Sequence, residues 1–174
     1  MTKTKSDATN AAEREIVVSR VLDAPRSLVF EAWTDPKHVT QWWGPHRFTC
    51  PACELDLRPG GAYRIVMRAP NGADYPLTGV FREIVAPERL VMTIDWSEHP
   101  EEWHDLVNPT RDRSQRPSLA ALQTVTFHEL SGKTKLVIRI GFESIAIRDA
   151  MVKMDLSEAC MQSLERLEAH LAHT

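Results

Sequence analysis

The sequence predicts an α+β fold in which a curved antiparallel sheet of about seven strands wraps around a long C-terminal helix, with two short helices after the first strand. Three observations carry this. From residue 47 to residue 142, short runs of alternating apolar residues are separated by Gly, Pro and Asn. Two Asp/Pro helix starts, Asp23 with Pro25 and Asp35 with Pro36, follow the first apolar run directly. From Ile147 to Leu171 the apolar residues fall three, four or seven positions apart, as one stripe of an amphipathic helix does.

The first strand is the β-branched run EIVVSRVL, 15–22. Asp23 and Pro25 then supply an N-cap and a helix-opening proline, and the helix over 25–33 aims Leu28, Val29 and Trp33 at a core. A second helix starts at Asp35-Pro36 and ends near Trp42-Trp43, where Gly44 and Pro45 stop it. Strands are expected over 47–57 and 62–68, joined by the RPGG turn at 58–61. Pro70-Asn71-Gly72 marks a hairpin into a strand over 75–85, and the turn at 86–89 leads to another over 90–96. Strands over 120–130 and 135–142 complete the set, joined at Ser131-Gly132. In the final helix, Ile147, Met151, Met154, Met161, Leu164, Leu167 and Leu171 form the stripe. Asp155 with Glu158 resembles a capping box and predicts a restart or kink at that point.

The segment 97–118 breaks the rhythm. It is polar, holds Pro100, Pro109 and Pro117, and admits a short helix over 101–107. A connection this long inside a compact domain is a binding loop, a lid or a disordered excursion.

A chain of 174 residues, 43% of them hydrophobic, suits one domain with a sizeable core. We read 1–13 as a disordered polar leader and 14–174 as the domain. The formal net charge of −3 offers no basic excess for a nucleic-acid backbone or an anionic membrane surface. No apolar run approaches the roughly 20 residues that span a bilayer, and no apolar stretch follows the N-terminal lysines as in a signal peptide. Three cysteines argue against a disulfide framework and place the protein in a reducing cytoplasm.

Large side chains alternate along the strands, as in Tyr63, Ile65, Met67 and in Leu90, Met92, Ile94, Trp96. Directed at the final helix, they line an adaptable apolar cavity or simply pack a core. The expected ligand-contacting residues are Trp42, Trp43, Phe48, Tyr63, Met67, Met92, Trp96 and Met154.

Catalytic and metal chemistry finds little support. In Cys50-Pro51-Ala52-Cys53, residues three apart on a strand face opposite ways, and no second ligand pair completes a zinc site. Pro51 marks a bulge, because the apolar alternation shifts register there. Glu98, His99, Glu101, Glu102, His104 and Asp105 read first as a solvated charged loop, with weak binding of a divalent cation as the alternative. Asp56 and Arg58 pair across the RPGG turn. Arg20, Arg64, Tyr63, Tyr75, His128 and Arg139 are the strand residues able to place a polar group inside, and a register slip of one would flip each. No catalytic residue, metal ligand or cofactor is assigned.

The segments DAPRSLVFEAWTDPKHVTQWWGP (23–45), ELDLRPGGAYRIVM (54–67), the Asn71-Gly72 turn and GVFREIVAPERL (79–90) carry a resemblance. On these residues the chain resembles the START-like (SRPBCC) superfamily, and within it the family of the activator of heat shock protein 90 ATPase, over residues 15–171. The resemblance implies the helix-grip fold and, in bacteria, a small stand-alone domain. It also implies kinship with lipid carriers, hormone- and allergen-type ligand binders, and polyketide aromatases and cyclases. Where relatives commonly open the final helix with Gly-Trp, this chain has Lys153-Met154-Asp155-Leu156. That change and the 97–118 segment both touch the expected pocket mouth, so a relative's ligand does not transfer.

The expected function is therefore binding of a small hydrophobic or aromatic molecule. The alternatives are a polyketide cyclase/dehydratase-like enzyme, which an inward His or Arg with an ordered water beside it would favour, and a chaperone or protein-interaction module, which predicts a filled cavity and an exposed apolar patch. A homodimer through an exposed strand edge is compatible with the sequence and not demanded by it.

Overall fold

In the computed structural model, which describes residues 11–115 and 119–174, seven antiparallel strands form one sheet in the order β1-β7-β6-β5-β4-β3-β2. The elements run β1 (Glu15–Leu22), α1 (Arg26–Thr34), α2 (Pro36–Trp42), β2 (Thr49–Leu55), β3 (Ala62–Arg68), β4 (Asp74–Val85), β5 (Arg89–Asp95), α3 (Glu101–Val107), β6 (Ala120–Leu130), β7 (Lys133–Phe142), α4 (Ile145–Lys153) and α5 (Leu156–Leu171). Residues 1–10 of the expected leader lie outside the described residues, whereas 11–13 are helical and run into β1.

The sheet order follows from the hairpins: β2 to β7 is a meander, and β1 pairs with β7 from Glu15↔Gly141 to Leu22↔Thr134. Seven strands spaced about 4.8 Å apart would put the edges of a flat sheet roughly 29 Å from each other. Yet α2 packs on the β2 edge, α5 packs on the β1 edge, and α2 also touches α5. The sheet therefore curls around the helical layer.

Period-2 patterning decides which side faces inward. In β1, Ile16, Val18 and Leu22 are buried while Val17 and Val21 are exposed. In β7, Leu136, Ile138, Ile140 and Phe142 are buried. Opposite them, α5 buries Leu164, Leu167 and Leu171. Each such side chain contributes about 1.5–3 kcal/mol as an upper estimate.

Local rules shift some boundaries. Asp35 caps α2 as expected, accepting from the Lys37 amide at 2.9 Å with Pro36 in the first turn. Asp23 does not cap α1, whose N-cap is Pro25 without a side-chain bond. Strand β2 starts at Thr49 and not at 47, because Arg47 has φ +71° in the left-handed region. The β2–β3 register shifts between Thr49 and Ala52, where Pro51 cannot donate to the ladder. The long final helix is two helices. Asp155 breaks it with φ +59°, a conformation Asp tolerates, but no capping bond forms there. Of the 97–118 segment, Glu101–Val107 is helical and 116–118 lie outside the described residues.

Candidate functional site

Between the inner sheet face and helices α1, α2, α4 and α5 lies a cavity of about 310 Å³. One wall is aromatic by construction. The break between α1 and α2 brings Trp33 within 5.0 Å (ring centroids) of Trp42 and 5.5 Å of Trp43. Trp42 is fixed by its own donor, the indole N–H, which bonds the Ala32 carbonyl at 3.0 Å. Across the cavity, Trp96 stacks on Phe142 at 5.9 Å and Phe48 meets Tyr75 at 5.8 Å. Met67, Met151 and Met154 fill the irregular gaps between these rings. All five tryptophans of the chain line the cavity.

One end is closed by the segment that the sequence marks as irregular. His99 stacks edge-on between Tyr75 at 5.2 Å and Trp103 of α3 at 4.5 Å. His99 is 8% exposed, and neither ring nitrogen has a hydrogen-bond partner. Burial, and to a lesser degree the nearby His104, lower its pKa to about 3, so the ring is neutral at pH 7. The buried indole N–H of Trp33 also lacks a partner, and the Gln123 amide makes only a 3.5 Å contact to the Met92 sulfur. No Lys, Arg, Asp or Glu side chain is among the described residues lining the cavity.

The link from Trp43 to Pro45, two of whose residues line the cavity, is held from α5. Arg166 Nη1 donates to the carbonyls of Trp43, Gly44 and Pro45 at 3.3, 3.0 and 3.2 Å. The Gly44 amide donates to Ser163 Oγ at 3.2 Å. Gly44 itself has φ +111°, which only glycine adopts without strain.

A family model described as "Activator of Hsp90 ATPase homolog 1-like protein" matches residues 23–172. The chain belongs to this family. Its fold is shared with a Nitrosomonas europaea protein, 26% identical over 93% of this chain and 96% of that one, with a TM-score of 0.75. A Chromobacterium violaceum protein is 28% identical over 89% and 95% of the two chains, with a TM-score of 0.68. The AHSA1 protein of Silicibacter pomeroyi, 21% identical over 91% and 97%, with a TM-score of 0.68, shares the fold. A comparison with curated proteins finds no match.

In this AHSA1-family domain, six of the eight residues expected to touch ligand do line the cavity: Trp42, Trp43, Phe48, Met67, Trp96 and Met154. Tyr63 does not. Its ring lies over Gly79, with a centroid 5.5 Å from Phe81, and its hydroxyl donates to the Thr93 carbonyl at 2.5 Å. Burial, with a smaller push from Asp95, raises the Tyr63 pKa above the ordinary phenol range. Met92 does not line the cavity either; its neighbour across the strand pair, Gln123, takes that place.

The other polar strand residues, Tyr75 apart, lie outside the cavity, and of them Arg20 shares the inner face with Val18 and Leu22 and reaches across to α5. Arg20 pairs with Glu168 at 2.5 Å, Arg64 with Glu98 at 3.7 Å and Arg139 with Glu15 at 3.5 Å, while His128 is exposed. Only Tyr75 of that set lines the cavity. The acidic cluster is corrected in part. Glu98, Glu101 and Glu102 are solvated and Asp105 pairs with Arg111 and Arg113, but His99 and His104 are buried. No periodicity in the sequence marks that inward turn. Gln123 had a legible signal: a polar residue in register with buried Val125 and Phe127.

Thiolate chemistry is disfavoured. Burial holds Cys50 above its ordinary value and pushes Cys53 and Cys160 to about 12. A thiol that stays protonated is neither a nucleophile nor a metal ligand. Among the described residues, Glu31, Asp35 and His38 bring ligand atoms within 4.8 Å of one another outside the cavity. Asp35 is engaged as the α2 cap, and His38 Nδ1 meets His170 Nε2 at 2.8 Å.

Proposed function

We propose that this AHSA1-family domain binds one small hydrophobic or aromatic molecule in the cavity between the sheet and the C-terminal helices. The observation that supports this most is the cavity itself: about 310 Å³, walled by aromatic and thioether side chains. An apolar cavity of about 150 Å³ accepts benzene, so this one suits a ligand of about 12 non-hydrogen atoms. The three free cysteines support a reducing compartment such as the cytoplasm.

An inward histidine would favour the enzymatic alternative, and His99 is inward. With a pKa of about 3, however, it is a weak base at neutral pH, far from the value that serves general base catalysis. An interaction module would leave the core filled, and this core is not.

Native mass spectrometry of the purified protein, followed by thermal-shift screening against hydrophobic metabolites, tests the proposal. A co-purifying small mass, or a melting temperature that rises saturably with a ligand, is the expected result. No bound mass and no shift across a broad panel would sink it.

A further inference from the structure

We propose that the molecule held in this cavity is a neutral aromatic compound bearing an O–H or N–H group that donates to the side-chain oxygen of Gln123. The inference rests on the binding role proposed above and adds the chemical class.

Gln123 stands where the strand pattern calls for an apolar residue. It lies on the inner face of β6 with Val125 and Phe127, and its cross-strand neighbours are Met92 of β5 and Ile140 of β7. Ile94, Ile138 and Ile140 form the apolar floor of the cavity around it. The residue is 5% exposed, and an amide buried with its bonds unmade is costly.

A carboxamide offers two N–H donors and an oxygen with two lone pairs. Among the described residues the Gln123 amide has one contact, from Nε2 to the Met92 sulfur at 3.5 Å, and a thioether is a weak acceptor. Its Oε1 has no protein partner. The nitrogens sealed from solvent without a partner belong to Trp33, His99, His104 and Arg111, and Oε1 of Gln123 is not among these sealed atoms. It therefore keeps accessible surface. Because the side chain sits on the inner face of the sheet and lines the cavity, that surface opens into the cavity.

The sulfur contact also decides which end of the amide a ligand meets. The nitrogen turns to Met92 and leaves the oxygen free, and a free acceptor calls for a donor. A hydrocarbon supplies none, and an ether or ketone would set oxygen against oxygen. A carboxylate would bring a charge into a wall where no Lys or Arg side chain stands among the described residues. A hydroxyl or N–H meets the need, while Trp33, Trp43 and Phe48 offer apolar ring faces to an aromatic body.

The test uses four naphthalene probes of similar size in equilibrium dialysis near neutral pH: 2-naphthol, 2-aminonaphthalene, 2-methoxynaphthalene and 2-methylnaphthalene. The first two donate, the third only accepts and the fourth does neither. The protein should bind at least one of the two donors about tenfold more tightly than 2-methylnaphthalene, and 2-methoxynaphthalene no better than 2-methylnaphthalene. In Gln123→Met, which keeps the length and removes the amide, the donors should lose that advantage while 2-methylnaphthalene still binds. In the parent chain the side-chain amide NMR signals of Gln123 should shift with the favoured donor and much less with 2-methylnaphthalene, a reading that does not depend on the variant folding. Equal binding of all four probes, a preference for 2-methoxynaphthalene, or a donor preference that survives in Gln123→Met would overturn the class assignment alone. Failure of all four probes to bind would overturn the binding role with it.

Discussion

Holding a neutral His99 in an apolar wall makes the folded state resist a proton that the unfolded chain accepts freely. The pKa falls from 6.5 to about 3. The unfolded chain therefore binds more protons between these values. The stability due to His99 is complete above about pH 6.5 and is lost as pH falls toward about 3. Burial lowers the His104 and His170 pKa values too, in the same direction. Urea unfolding at about pH 7 and about pH 4.5 should show a smaller acid loss in His99→Phe than in the parent chain; equal losses would contradict the buried, neutral ring. Gly79 carries a second residue-scale prediction. A Cβ there would meet the Thr93 carbonyl at 2.0 Å and the Tyr63 ring at 2.6 Å. Gly79→Ala should lower stability by about 2–3 kcal/mol, measured by denaturant unfolding. Most of the aromatic wall was legible at this scale, since Trp42, Trp43 and Trp96 sit beside recognisable breaks or in strand register. Tyr63 was misread because alternation gives a side chain's face and not its neighbour: Gly79 opens a slot that draws the ring sideways.

At the scale of elements, the cavity depends on how α5 is tied down. Arg166 bonds three successive carbonyls of the link between α2 and β2, and Glu168, two residues on, pairs with Arg20 of β1. Arg166→Ala leaves those carbonyls to other partners and should cost about 1–3 kcal/mol, read from the denaturation midpoint. Arg20→Ala, whose pair is half-exposed, should cost about 1 kcal/mol or less. Helix α3 acts differently. It covers one end of the cavity through Trp103 and sits on a long connection, so Trp103→Ala should speed ligand release several-fold, and it should also lower the melting temperature because the ring packs on His99 and His104. The strands and helix starts were readable because Gly, Pro and Asp impose local backbone geometry. The break at Asp155 was readable as a place but not as a motif: a left-handed residue ended the helix where a capping box was expected. The inward turn of 97–104 was not readable, because short irregular segments are placed by tertiary contacts and not by a repeat.

For the whole molecule, the curl of the sheet around α4 and α5 and the gap left beneath them are one geometric fact. The hydrophobic pattern dictated a sheet closing on a helix, but not whether the enclosed side chains would meet. Here they stop short, and about 310 Å³ stays open. Because every tryptophan lines that space, indole fluorescence should change on occupancy and should change little for a ligand bound elsewhere. The most direct test fills the space by mutation. Ala159 of α5 lines the cavity, and Ala159→Phe would occupy the room a ligand needs. Titrated with 2-methylnaphthalene, the parent protein should show a saturable rise in melting temperature, and the folded Ala159→Phe variant should show none. A parent protein that does not respond, or a filled variant that responds equally, would contradict the account.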